Sequence, residues 1–317
     1  MRTLQTQDLI DEAIETLQSK IDDTAIIACS GGIDSTVAAV LAHKAIGNLL
    51  HCVYVDTGFM RKNESKEVSE MFTNLGINLK IVDATERFFD NLRGVTDPEN
   101  KRKVIGEQFI RVFEEEQSIC GAKYLVQGTI APDWIESGGG ERDTIKSHHN
   151  VGGLPEDVDL IIVEPLREFY KDEVRKIARQ LDIPSSERQP FPGPGLAVRV
   201  LGDLTVDRVE ACREACHIVE TKLQSAAAEG RCDLPWQYFA ALLPVSSVGV
   251  HGDVRVYGET IVVRAVSSLD GMSARYSAIP HDILSEISTE ITNTLKGQVN
   301  RVVYDITHKP PGTIEWE

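Results

Sequence analysis

Apolar positions along the chain fall into two alternating periods. Residues 7–20 place Leu9, Ile10, Ala13, Ile14 and Leu17 on one helical face, with charges opposite. TAIIAC (24–29) is a short continuous apolar run, as expected of a strand buried on both faces. SGGIDST (30–36) reads as a turn, and VAAVLAHKAI (37–46) as a helix. LLHCVYVD (49–56) and INLKIVD (77–83) are further strands around a helical stretch from about residue 63 to 75. A helix near 102–117 leads to strands at AKYLVQG (122–128) and LIIVEPL (160–166). Val174, Ile177, Ala178 and Leu181 then mark a helix. Asp172 and Glu173 near its start and Arg179 near its end suit the helix dipole. Strand and helix alternate for about 180 residues, which predicts a doubly wound parallel α/β sheet with helices on both faces.

QPFPGPG (189–195) cannot continue a helix and predicts a boundary between domains 1–189 and 190–317. Beyond it, LAVRVLGD (196–203), YFAALLP, DVRVYGETIVVRAV and RVVYDITH read as strands. Helices are expected from Thr205 and near 282–295. Short turns between strands predict a smaller antiparallel α+β domain. Residues 137–157 hold five glycines and little to bury, the composition of a lid or a disordered loop.

The 317 residues are 42% hydrophobic, which excludes a disordered chain. With 33 basic and 49 acidic side chains the net charge is −16, so non-specific nucleic-acid coating and anionic membrane surfaces are excluded as partners. No uncharged apolar run reaches membrane-spanning length, and no signal peptide is evident. Scattered cysteines and these absences predict a cytoplasmic protein with reduced thiols. Cys212 and Cys216 share a helix face, but their spacing fits no standard zinc site, so core packing is expected.

Chemistry concentrates in SGGIDST. Gly31 and Gly32 let the backbone approach a ligand. Their N–H groups, with the hydroxyls of Ser30, Ser35 and Thr36, would face an anion at a helix start. No lysine follows as in a Walker A loop, and there is no G-x-G-x-x-G. Asp34 inside an anion loop requires explanation: either Mg²⁺ bridges it to phosphate, or it turns away and caps backbone N–H groups.

SGGIDS resembles the pyrophosphate loop of the N-type ATP pyrophosphatases, SGGxDS. Within that superfamily the chain resembles the ATP-pyrophosphatase and dimerisation portion of the GMP synthetases. VDTGFMRKNE (55–64), DPENKRKVIGEQF (97–109), QGTIAPDWIES (127–137), IKSHHNVGGLP (145–155), EPLREFYKDEVR (164–175), PFPGPGLAVRVLG (190–202), VGVHGDVRVYG (248–258) and KPPGTIEWE (309–317) carry the resemblance. It implies an adenine-nucleotide α-hydrolase-like first domain and a C-terminal domain that dimerises and binds XMP. It implies ATP on Ser30, Gly31, Gly32, Ile33, Asp34, Ser35, Thr36, Gly128 and Thr129, with Asp34 and Glu136 on Mg²⁺. Lys146 would meet the leaving pyrophosphate and, with Asp34, serve catalysis. Arg102, Asp253, Arg255, Lys309 and Glu315 would bind XMP. Asp56 would lie near the adenosine or cap its own turn. No cysteine sits in a G-x-C-x-G elbow, so the resemblance is to a separate synthetase subunit that receives ammonia from a glutamine amidotransferase partner. The rivals are an NAD synthetase-like or tRNA-thiolating pyrophosphatase, or a nucleotide-binding module without catalysis. Lys146→Ala is expected to lower XMP-dependent pyrophosphate release sharply while the circular dichroism spectrum stays that of the parent; unchanged turnover would remove Lys146 from the chemistry.

Overall fold

The computed structural model describes residues 6–131, 160–184, 188–269 and 271–317. They form two compact units. The first holds residues up to Gly58, Asn63–Thr85 and Gly106–Arg188. The second holds Phe59–Lys62, Glu86–Ile105 and Gln189–Glu317. The last crossing falls beside the predicted boundary at 189, but two earlier segments also join the second unit, so the division is not a single cut.

In the first unit, helix α1 (Thr6–Lys20) precedes strand β1 (Ala25–Ala28), helix α2 (Ile33–Ile46) and strand β2 (Leu50–Asp56). Helix α3 (Glu64–Asn74) and strand β3 (Leu79–Asp83) follow. Helix α4 (Thr85–Leu92), which with the first turns of the next helix belongs to the second unit, was not visible as a periodic element in the sequence. Helix α5 (Pro98–Cys120) runs longer than its apolar pattern, because Asp97 caps it and Pro98 is pre-set for a first helical turn. Strands β4 (Tyr124–Val126) and β5 (Ile161–Val163) and helix α6 (Lys171–Gln180) complete the unit. All neighbouring strands pair in parallel, in the order β3-β2-β1-β4-β5. Buried strands β1, β2 and β4 explain the continuous apolar runs. Helix α2 is buried along Thr36–Ala42 and packs with α1 and α6. The chain leaves β1 toward β2 and β3 and returns to β4 on the other side. The crevice between β1 and β4 is therefore the topological switch point, where ligands of open α/β sheets bind.

In the second unit, helix α7 (Val206–Ala228) packs on strand β6 (Gln237–His251), which pairs with strand β7 (Val254–Ser267) as a long antiparallel hairpin. Strand β8 (Arg275–Tyr276) pairs with β7, and helix α8 (His281–Thr294) leads to strand β9 (Val299–Tyr304). Two expectations fail here. Strand β9 lies parallel to β7, so the sheet is mixed; the intervening α8 supplies the crossover a parallel neighbour needs. Residues 196–203 are not a strand. They form a 3₁₀ turn at Gly195–Val198 with one bridge, Val200 to Leu242. Leu196, Ala197, Val198 and Val200 are all buried, so the apolar run carried no period that could separate strand from turn. Cys212 and Cys216 are buried in the core, as expected.

The C-terminal tail is held by cations taken out of water. Arg264 is fully buried. It donates to the carbonyls of Thr307 at 2.5 Å and Thr313 at 2.9 Å, and reaches those of Asp305 and Ile314 at 3.4 Å. The Asp305 carboxylate lies 3.2 Å away. Lys101, also fully buried, donates to Glu317 at 2.6 Å and to the carbonyl of Val200 at 2.7 Å. Burial pulls the Lys101 pKa down, and Glu317 opposes the shift. Arg264→Met strips these partners from Asp305 and four carbonyls. It is expected to cost about 3–5 kcal/mol, the usual loss on breaking a buried pair, read as a lower midpoint in urea unfolding.

Candidate active site

Strand β1 delivers Cys29 and the loop Ser30–Gly32 directly to the start of α2. Gly32 caps that helix with extended backbone and no side-chain hydrogen bond. The first N–H groups of α2 are thus left for a ligand, and they carry the positive end of the helix dipole. The loop braces itself. Ser30 and Ser35 hydroxyls lie 3.1 Å apart, the Gly32 N–H donates to Ser30 Oγ at 3.3 Å, and Ser35 Oγ donates to the Gly32 carbonyl at 3.1 Å. Thr36 is fully buried, and its hydroxyl is taken by the Gly32 carbonyl at 2.8 Å. Of the three predicted hydroxyls, Thr36 therefore belongs to the scaffold.

Two glycines are required by space. Gly31 has φ +76°, and a Cβ there would meet Val68 Cγ2 of α3 at 2.5 Å. A Cβ on Gly128, just past β4, would lie 3.0–3.1 Å from the backbone of Asp34 and Ser35. The loop after β4 therefore closes on the start of α2 across the switch point. Thr129 beside it is buried.

Asp34 forms an ion pair with Lys171 through Oδ2. Its other oxygen, Oδ1, is buried without a partner. The structure thus takes neither predicted arrangement whole: Asp34 is not a backbone cap, and one oxygen stays available. Lys171 opens α6, where a cation opposes the helix dipole. It was missed in the sequence, and its position as a cation in a helical first turn was the available signal. A second cation, Arg188, holds the buried Glu64 at 2.8 Å and also pairs with Glu67, both on α3 beside Gly31. Asp56 is engaged by the Gly58 N–H at 2.9 Å and by Ser65 Oγ at 2.5 Å, the turn-capping alternative. Among the described residues no group of three metal-ligating side chains occurs. Mg²⁺ on a nucleotide needs only one or two carboxylates beside phosphate and water, so the unpartnered Asp34 Oδ1 fits it. Lys146 and Glu136 lie outside the described residues.

The remaining predicted residues lie in the second unit. Glu315 pairs with Arg199, and Lys309 Nζ donates to the Gly271 carbonyl at 2.8 Å. Arg102 is exposed on α5, 3.6 Å from Glu99. Asp253 and Arg255 are exposed at the hairpin tip, where Arg255 lies over the Tyr257 ring. No described hydrogen bond or ion pair joins them to Lys309 or Glu315.

Known proteins match along the whole chain. A subunit of GMP synthase [glutamine-hydrolyzing] from Methanopyrus kandleri is 56% identical over 97% of this chain and 98% of its own length. The corresponding subunit from Thermococcus kodakarensis is 54% identical over 98% and 99%. The chain belongs to this family of GMP synthase subunits. The family model for the GMP synthase C terminal domain matches residues 224–316, and the NAD synthase model matches residues 5–104. In Thermotoga petrophila a GMP synthase [glutamine-hydrolyzing] is 55% identical over 98% of this chain but only 62% of its own length. The present chain thus corresponds to part of a longer one there. Lys171→Ala is expected to lower ATP-dependent pyrophosphate release by about 100-fold or more, the usual loss of one positioned charge. Lys171→Arg should recover part of it, with the fold checked by circular dichroism.

Proposed function

We propose that this chain makes GMP from XMP, ATP and ammonia. The oxygen on C2 of XMP attacks the α-phosphorus of ATP, forming the adenylated nucleotide as pyrophosphate leaves. Ammonia then bonds to C2, AMP departs with that oxygen, and the incoming nitrogen gives up one proton to leave the 2-amino group. The observation that carries the reading is the uncapped start of α2, closed by Gly128 and furnished with Asp34 and Lys171, in a chain 54–56% identical to proteins named as subunits of GMP synthase. Backbone N–H groups of Gly31 and of Ile33 to Ser35 take the departing phosphates, with Lys171 and, from the Gly-rich segment, Lys146 offsetting their charge. Asp34 would hold Mg²⁺ through Oδ1, with Glu136 beside it; the ion would supply charge neutralisation on the phosphates. Lys309 and Glu315 bind XMP, with Arg102. Ammonia comes from a separate glutamine amidotransferase partner, as the naming of the relatives as subunits supports.

The working form is a homodimer through the second unit. Val245, Val248, Val250, Val254 and Tyr257 are 44–70% exposed on the outer half of the β6–β7 hairpin, a patch suited to self-association. Arg255 lies nine positions along β7 from Arg264, which holds the tail bearing Lys309 and Glu315. That is roughly 30 Å of extended strand, too long for one nucleotide and two side chains to span. Asp253 and Arg255 therefore complete the nucleotide site of a second copy.

Pyrophosphate release is expected only with XMP present, with GMP and AMP appearing together in ammonium buffer and no glutamine hydrolysis by this chain alone. Release driven by another acceptor would refute the substrate. Arg255→Ala and Glu315→Ala protomers, each inactive, should regain about a quarter of parental turnover when mixed, because half the dimers are mixed and one of their two sites is intact. No recovery would place both residues in one chain's site.

A further inference from the structure

The Glu315 carboxylate is gripped by side chains that themselves cannot move. Arg199, 1% exposed, donates from Nε to Oε2 at 3.0 Å and from Nη2 to Oε1 at 2.8 Å. Gln237, also buried, donates to Oε1 at 2.7 Å. Phe239 and Phe191 cover the guanidinium, with ring centroids 4.1 Å and 5.1 Å away. Among the described residues Glu315 supplies the guanidinium's only acceptors, and Nη1 is buried without one. Burial alone would lower the Arg199 pKa, but the Glu315 charge outweighs it and the net shift is upward, so the pair stays ionised.

A carboxylate offers about four lone-pair positions. Two on Oε1 and one on Oε2 are filled. The side chain is still 19% exposed, so one acceptor position on Oε2 remains for a ligand. Arg199 is not what holds the tail backbone. Arg264 takes the carbonyls of Thr313 and Ile314, and Lys101 takes Glu317. What Arg199 adds is the orientation of one carboxylate.

We propose that Arg199 is a positioning residue for nucleotide binding: it locks Glu315 so that a single Oε2 lone pair meets an N–H or O–H donor of the nucleotide's base or ribose. This rests on the assignment of Glu315 to XMP. A lysine in place of Arg199 keeps the charge but loses the two-point grip. A side chain acting only through Glu315 must also be non-additive with it.

The test uses the full chain with XMP, ATP and ammonium. Glu315→Asp keeps the charge and shortens the reach, and is expected to raise KM for XMP at least tenfold. Arg199→Lys should raise it by a similar factor, with KM for ATP and kcat within threefold of the parent. The double variant should be no worse than Glu315→Asp alone. An unchanged KM for XMP in Glu315→Asp would sink the assignment of Glu315 itself. A raised KM there with a parental KM in Arg199→Lys would overturn the positioning role, as would effects that multiply in the double variant. Should Arg199→Lys not fold, Gln237→Leu carries the same test, because it removes the second donor on Oε1 and leaves the ion pair. A parental KM in Gln237→Leu would then overturn the proposal.

Discussion

Three cations held out of water organise the second unit. Residues 305–317 run beyond the last strand and include two prolines, so no sheet ladder serves most of their carbonyls. Buried backbone acceptors need donors from elsewhere. Arg264 supplies them from the last third of β7, with a fixed fork that no lysine could match. Burying such a charge is costly unless it is paired, and Asp305, Glu315 and Glu317 supply the pairing for Arg264, Arg199 and Lys101. Tail and cations are therefore mutually dependent. The same logic explains the membership of residues 86–105: Lys101 brings the first turns of α5 into this unit through Glu317 and the Val200 carbonyl.

The first unit solves recognition with backbone. A helix start without a cap and two glycines without room for a Cβ form a site whose donors are peptide N–H groups. Such a site suits polyphosphate and is indifferent to what the phosphate is joined to. The second unit instead presents individual side chains on rigid supports, which suits discrimination between bases. The two family matches follow this division in the main, with NAD synthase over residues 5–104, of which 59–62 and 86–104 belong to the second unit, and the GMP synthase C terminal domain over 224–316. In the proposed reaction, activation by ATP belongs to the general half and choice of acceptor to the particular one.

The parallel sheet was legible because its central strands β1, β2 and β4 are buried and helices such as α1 and α6 carry a 3.6-residue stripe. The loop at Ser30–Thr36 was legible because glycine and hydroxyl residues there have few other uses. Residues 196–203 misled because a run buried on every side shows no period. The parallel pairing of β9 could not be read from turn lengths, since it depends on α8 crossing the sheet. Lys171 and Arg199 were missed for a shared reason. Each pairs with a carboxylate 137 or 116 positions away in sequence, Asp34 and Glu315, and no local pattern encodes such a distance.

These pairings also account for how an acidic chain can serve phosphate. With 33 cations against 49 anions, a free lysine near the loop would sit in a field of carboxylates. Lys171 and Arg188 are instead already matched, to Asp34 and to Glu64 and Glu67. Their side chains are ordered before any ligand arrives, so ligand binding does not bear the entropy of fixing them. In the proposed reaction, phosphate exchanges places with a carboxylate around a cation that is already positioned. Asp34, released from Lys171, then has both oxygens available to the Mg²⁺ proposed there. On that proposal one acidic residue inside the anion loop would serve two states, holding the cation in place before ATP binds and the metal afterwards.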